Sequence, residues 1–188
     1  MLEKELWLYR ALNGRTIVFS KDIAEKSTTL TYGYDVALGI ASIIGKETAF
    51  GEAFHITSDE SYTWKEILEI YLDTIEKKTG MRPKVLLLDK SPHLEWIGAK
   101  WQVILDRYYN RRFDNSKIQQ YIDTSQFVRT ESGLISCLES FLCHPQFKKM
   151  GWGIQGTYDR ITGEWAPFSE ISIIKDCISY LLHRTVVP

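Results

Sequence analysis

TTLTYGYDVALGIASIIGKETAFGEAFHITSDESYTWKEILEIYLDTIEKKTG, residues Thr28 to Gly80, decides the fold class. Within it, Tyr34-Asp35-Val36-Ala37 opens a helix whose apolar residues Val36, Ala37, Ile40, Ala41 and Ile44 keep to one side, and Gly45 closes it. Ala53-Phe54-His55-Ile56-Thr57, bounded by Gly51 and by Ser58-Asp59, reads as a short strand. Thr63-Trp64-Lys65-Glu66 has the spacing of a capping box, in which the hydroxyl and the carboxylate satisfy orphan amides at a helix start. The helix that follows lines up Trp64, Ile67, Leu68, Tyr71 and Ile75, and Gly80 stops it. Helix, strand and helix in that order are α/β core elements. By themselves they name no chemistry.

Upstream, Leu2 to Leu12 reads as a helix with Leu2, Leu6 and Tyr9 on one side, ended by Asn13-Gly14. It begins at the initiator with no cap, which reads as a cut through a larger fold. Thr16 to Ser20 reads as a strand. Downstream, Pro83 to Leu88 reads as a buried strand, and Ser91-Pro92 starts a helix through Trp96, Trp101 and Leu105. Ser132 caps a helix carrying Leu134, Ile135, Leu138, Phe141 and Leu142. Gly151 to Gly163 is turn-rich, and Ser169 starts a last helix with Ile171, Ile174, Ile178 and Leu181 inside. The expectation is one α/β domain over residues 1–188, two or three short strands covered by about six helices.

Composition excludes several partners. The 23 basic and 24 acidic residues balance to a net charge of −1, and Arg111-Arg112 and Lys148-Lys149 are isolated pairs, so no nucleic acid is expected. No apolar run approaches ~20 residues, so no membrane span is expected. Met1 to Leu6 carries acidic charge and no apolar stretch, unlike a signal peptide. Cys137, Cys143 and Cys177 form neither an even disulfide framework nor a Cys-x-x-Cys pair, which points to a reduced, cytoplasmic compartment. Cys137 and Cys143 are expected to pack as small hydrophobes beside the leucines of their helix, and His55 to sit in a core or at a sheet edge, so no metal site is expected. No Gly-x-Ser-x-Gly elbow occurs.

The order of small signals is more specific. Tyr34-Asp35-Val36-Ala37, then Gly51-Glu52-Ala53-Phe54-His55-Ile56, then Thr63-Trp64-Lys65-Glu66-Ile67 resembles the extended short-chain dehydrogenase/reductase family, the NAD-dependent epimerases and dehydratases of nucleotide sugars. Asp114-Asn115-Ser116-Lys117-Ile118 resembles that family's Asp-x-Ser-Lys segment, and Gly133-Leu134 the start of its late helix. The resemblance spans roughly Leu12 to Leu142 and corresponds to the family's C-terminal, substrate-binding half. It implies a partial extended fold of that family and NAD or NADP in the complete enzyme.

Two features that the family's chemistry requires are missing. A Tyr-x-x-x-Lys pair, in which lysine lowers the tyrosine's pKa for proton exchange, does not occur. Tyr108 and Tyr180 have Arg112 and Arg184 at that spacing, and Tyr62 lies only three residues before Lys65. A glycine-rich turn for a dinucleotide belongs between a strand and a helix. The one Gly-x-Gly-x-x-Gly, Gly151 to Gly156, follows no buried strand and reads as a surface loop or hairpin turn. No catalytic or cofactor-binding residue is therefore assigned, and no cofactor is expected for this chain alone.

Substrate binding is the work that the resemblance leaves to this half. The family grips the nucleotide diphosphate through arginine, commonly several residues before the Asp-Val-Ala aspartate. Here Ser27-Thr28-Thr29 occupies that region, with no arginine between Arg15 and Asp35. The candidate substrate-binding residues are Arg111, Arg112 and Thr28. Asp35 and Asp114 are expected to cap or orient helices, and Lys117 is a surface charge or a ligand contact. The expected partners are a nucleotide sugar and a separate Rossmann-containing chain or a second copy, because a half fold leaves strand edges and an apolar face open. Three readings follow: part of an NAD-dependent nucleotide-sugar epimerase or dehydratase, its N-terminal half encoded separately or cut off; a stand-alone module holding a nucleotide sugar or a protein without catalysis; and a ligand-free scaffold.

Overall fold

The computed structural model describes residues 4–92, 99–147 and 150–186. In chain order the elements are α1 (Lys4–Leu12), β1 (Ile17–Ser20), α2 (Lys21–Ala24), β2 (Ser27–Thr28), α3 (Gly33–Ile43), β3 (Tyr62–Thr63), α4 (Trp64–Thr79), β4 (Val85–Leu88), α5 (Ala99–Gln102), α6 (Thr130–Cys143), α7 (Trp152–Thr162) and α8 (Ile174–Thr185). Two small sheets result. β1 pairs in parallel with β4, Ile17 opposite Val85 and Ser20 opposite Leu88. β2 pairs antiparallel with β3, Ser27 opposite Thr63. The fold is α/β.

α4 is the central helix because both its ends and its inner face are specified. The Thr63 hydroxyl accepts from the Glu66 amide at 3.1 Å while the Glu66 carboxylate accepts from the Thr63 amide at 2.7 Å. Gly80, at φ 74°, ends it in the left-handed conformation that costs other residues free energy. Trp64, Ile67, Leu68 and Leu72 pack with Ile17 and Phe19 of β1, Ile23 of α2 and Val103. One turn on, Ile75 meets Leu8 of α1 and Leu138 of α6. Each such buried side chain contributes roughly 1.5–3 kcal/mol. The β1–β4 sheet is open at one side, where Phe19, Ala24, Leu68, Val85 and Leu87 border an apolar groove of about 460 Å³. β4 is accordingly half-buried rather than buried.

Several sequence expectations are corrected. Ala53 to Thr57 forms no strand. It runs extended against α3, so close that a Cβ at Gly39 would lie 2.4 Å from Ile56 Cγ2. The place of a neighbouring strand is taken by one side chain, the Asn115 amide, which accepts from the Thr57 amide at 3.3 Å and donates to the Thr57 carbonyl at 2.6 Å. Gly151 to Gly163 is not a loop, since residues 152–162 form α7. α6 begins at Thr130, not after Ser132, because the Glu60 carboxylate accepts from the Thr130 amide at 2.7 Å and caps the helix from across the fold. α8 begins at Ile174, after a 3-10 turn at Phe168–Glu170. Cys137 and Cys143 are exposed and free, because α6 turns Leu138 inward and leaves them on its outer side. Of the helix expected from Ser91 to Leu105, residues 93–98 lie outside the described residues, while α5 runs on into a wider turn over Val103–Arg107. Leu2 and the pair Lys148-Lys149 also lie outside them.

A buried charge network ties the end of α1 to α7 and α8. The fully buried Arg10 donates from Nη1 to Asp159 at 2.6 Å and to Gln155 at 3.2 Å, from Nη2 to Glu164 at 2.9 Å, and from Nε to the Thr16 carbonyl at 2.8 Å. Arg15 reaches the other Asp159 oxygen at 3.1 Å, and the Tyr180 hydroxyl donates to that same oxygen at 2.7 Å. Glu164 titrates in this setting. Burial pushes its carboxyl up, but the Thr16 and Thr162 hydroxyls, the Thr16 amide and the Arg10 charge together hold it below its ordinary 4.5. A depressed carboxylate contributes stability above its unfolded pKa, and the contribution is lost as pH falls through the lower folded value. The urea midpoint is therefore expected to fall on acidification below about pH 4.5, and Glu164→Gln is expected to be less stable at neutral pH with a shallower acid decline. Parallel acid profiles of the two proteins would contradict this.

Candidate functional site

A polar cleft lies beside the β2–β3 ribbon. Thr29 and Ser61, at the end of the β2–β3 ribbon, form one wall. Residues 110–113 run beside it, with the Arg111 amide donating to the Ser27 carbonyl at 2.9 Å, the Ser27 amide to Asn110 Oδ1 at 2.9 Å, and the Thr29 hydroxyl to the Arg111 carbonyl at 3.1 Å. Thr29, Ser58, Asp59, Ser61, Arg112 and Phe113 line the cleft, whose volume is about 260 Å³.

The floor is held from beneath. Asn115, buried, donates from Nδ2 to Asp59 at 2.7 Å, and the Thr124 hydroxyl donates to the second Asp59 oxygen at 2.8 Å. The Ser58 amide donates to the Thr31 hydroxyl at 2.9 Å, and the Thr130 hydroxyl lies 3.2 Å from that of Ser58. Asp35 is buried at the start of α3 and accepts from the Val128 amide at 2.9 Å, so it orients the approach to α6 rather than capping its own helix. Lys117 pairs with Glu52 and lies over the Phe54 ring, whose edge meets Tyr121. Asp114 accepts from the Ser116 amide at 2.8 Å, a local turn whose hydrogen bonds hold its carboxyl below the usual range. The Asp114–Lys117 and Gly51–Thr57 segments are thus neighbours in space.

The candidate substrate residues differ in what is left of their bonding capacity. Thr28 is buried, and its hydroxyl accepts from Arg111 Nη2. Arg111 also pairs with Asp106 at 2.5 Å. These two residues are joined to each other and placed behind the cleft. Arg112 is exposed at its mouth and, among the described residues, forms no ion pair. Phe113, 41% exposed, stands beside it, in T-shaped contact with the exposed His55 ring at 5.1 Å. Reading the sequence did not single out Thr29, Ser58, Asp59, Ser61 or Phe113. The density of hydroxyls around Ser58-Asp59-Glu60-Ser61 was the available signal.

The two tyrosines with arginine four residues on are not arranged for proton transfer. Burial pushes the Tyr108 phenol up to about 12, reinforced by its hydrogen bond to Asp22 at 2.8 Å. Burial likewise pushes Tyr180 up to about 12, with Asp159 adding to it. An acid–base tyrosine needs the opposite shift. The glycine fingerprint does not fit a dinucleotide either. A Cβ at Gly156 would lie 2.4 Å from the Tyr180 carbonyl oxygen, and one at Gly153 would lie 2.9 Å from the Ser179 hydroxyl. The space that a pyrophosphate requires is filled by α8.

Among the described residues, no helix is long and apolar enough to cross a membrane, and no group of three or more His, Cys, Asp or Glu side chains could hold a metal. No protein-family model matches the sequence, and no curated protein matches it. A UDP-glucuronic acid 4-epimerase from Bacillus cereus, solved with UDP-glucuronic acid and NAD, is similar at a TM-score of 0.47 and 20% identity, over 71% of this chain and 39% of that one. The chain thus spans about two fifths of the length of that structure.

Proposed function

We propose that this chain is the substrate-binding portion of an NAD- or NADP-dependent nucleotide-sugar epimerase or dehydratase, and that the cleft at Arg112 takes the diphosphate. The observation that carries the reading is Arg112 itself, an exposed guanidinium with no ion pair among the described residues, at the mouth of a hydroxyl-lined cleft. Its planar fork matches two phosphate oxygens at once. Arg111 and Thr28 act by positioning: they hold the 110–113 segment against β2 and so set where Arg112 points. Ser61 lines the cleft with a hydroxyl for phosphate or ribose, and Phe113 offers an exposed aromatic ring for a base or sugar. At about 260 Å³ the cleft is smaller than the ~300–1,000 Å³ of pockets that enclose a whole ligand. It suits a diphosphate with one flanking ring, the remainder being left for the cofactor-binding half.

The test is calorimetric titration with a uridine diphosphate sugar. Arg112→Ala is expected to weaken binding at least about tenfold, the scale of a lost charge-assisted hydrogen bond, without lowering the unfolding temperature. Arg112→Lys is expected to recover only part, since an ammonium is a point charge and not a fork. Unchanged affinity in Arg112→Ala would remove the phosphate assignment.

A further inference from the structure

We propose that His55 makes the cleft's grip on a diphosphate depend on pH, its imidazolium supplying a second positive charge beside that of Arg112. The inference rests on the phosphate reading of the cleft given above. Ala53 to Thr57 runs extended, so its side chains alternate in direction. Phe54 turns to Tyr121 and Lys117. His55 turns the other way, to Phe113, with the ring centroids 5.1 Å apart. Phe113 lines the cleft next to Arg112, and three residues beyond His55 its own chain lines the cleft at Ser58 and Asp59. The imidazole is exposed there, packed neither in a core nor in a sheet.

The charges around the ring make the dependence. Asp114 follows Phe113 and feels the His55 charge: hydrogen bonds from the Ser116 amide and hydroxyl chiefly hold its carboxyl low, and His55 adds to them. Glu52 and Lys117 pair with one another. Asp59 accepts from the Asn115 amide and the Thr124 hydroxyl. None of these neighbours is a histidine, the side chain whose charge ordinarily changes between pH 5 and 8. With the imidazole neutral, the Asp114 carboxylate opposes an arriving anion. With the imidazole protonated, that carboxylate is offset, and the added positive charge acts across about a Debye length, ~8 Å at physiological salt. The phosphates of a nucleotide sugar stay ionised throughout this range, so a change of affinity with pH belongs to the protein.

The experiment is calorimetric titration of the full chain with a uridine diphosphate sugar between about pH 8 and about pH 5.5, in buffers of differing ionisation enthalpy. Binding is expected to tighten roughly three- to tenfold from the higher pH to the lower, with proton uptake on binding between them. His55→Asn is expected to bind as the wild type does at the higher pH, and to lose both the dependence and the proton uptake. His55→Lys is expected to bind tightly across the range, and it carries the test if the asparagine variant fails to fold. A pH-independent wild-type affinity, a dependence that survives His55→Asn, or an equal loss at every pH in that variant would overturn the role of His55 while leaving Arg112 its assignment. Absence of binding at every pH would overturn both.

Discussion

Asp159→Ala is expected to lower the unfolding temperature by roughly 10 °C, the largest single effect anticipated for this chain. Asp159 is fully buried and serves Arg10, Arg15 and the Tyr180 hydroxyl at once. Its removal leaves a fully buried guanidinium without its principal counter-charge and a second one with only Glu170, at 3.6 Å. Breaking a buried pair from one side costs about 3–5 kcal/mol, because the remaining charge has lost its water without compensation. In a chain of this length each kcal/mol moves the midpoint by about 2–4 °C. The same reasoning predicts non-additivity. Arg10→Met combined with Asp159→Leu removes both charges together and is expected to be less destabilising than the sum of the single changes. A loss below about 1 kcal/mol in Asp159→Ala would show that the network contributes little to stability.

Gly156→Ala is expected to be the second most damaging change, although alanine is the better helix former. The new methyl would meet the Tyr180 carbonyl oxygen at 2.4 Å and the Arg184 amide nitrogen at 3.2 Å, and neither backbone atom can turn aside. Helix α7 must lift from α8, opening the contact among Trp152, Ala166, Ile171 and Tyr180. Overpacking of this kind exceeds the roughly 1 kcal/mol that alanine recovers in helix propensity, for a net loss of about 2 kcal/mol. Gly33→Ala is the control: nothing lies within 4 Å of its Cβ position and its φ is not positive, so it is expected to be neutral or mildly stabilising. Urea denaturation of both variants measures the difference. A neutral Gly156→Ala would mean that the two helices are free to separate.

What was legible in the sequence was local, and what was missed depended on distant partners. The start and stop of α4 were readable because both caps lie within the helix's own sequence, at Thr63, Glu66 and Gly80. The start of α6 was not, since its cap is the Glu60 carboxylate, seventy residues away. Ala53 to Thr57 has a strand's composition, but its neighbour is the Asn115 side chain, which no periodicity announces. The glycines of Gly151 to Gly156 were read as turn residues, yet Gly153 and Gly156 sit three apart on a helix, where small size permits a close crossing. Arg10 and Arg15 look like ordinary surface charges until α7 brings Asp159 onto them. The cleft was half legible. The candidate Arg112 lies at it, while Arg111 and Thr28 are bonded to one another behind it, because an arginine's free valence depends on which carboxylates the fold delivers.

The most direct test of the substrate-binding reading is a nuclear magnetic resonance titration of the assigned chain with a uridine diphosphate sugar, with NAD titrated in parallel. Saturable shifts confined to Thr29, His55, Ser58 to Ser61 and Arg112-Phe113, with no response to NAD, are the predicted result. Absence of saturable shifts, a response to NAD, or shifts centred on the apolar groove beside Phe19 and Leu87 would contradict it.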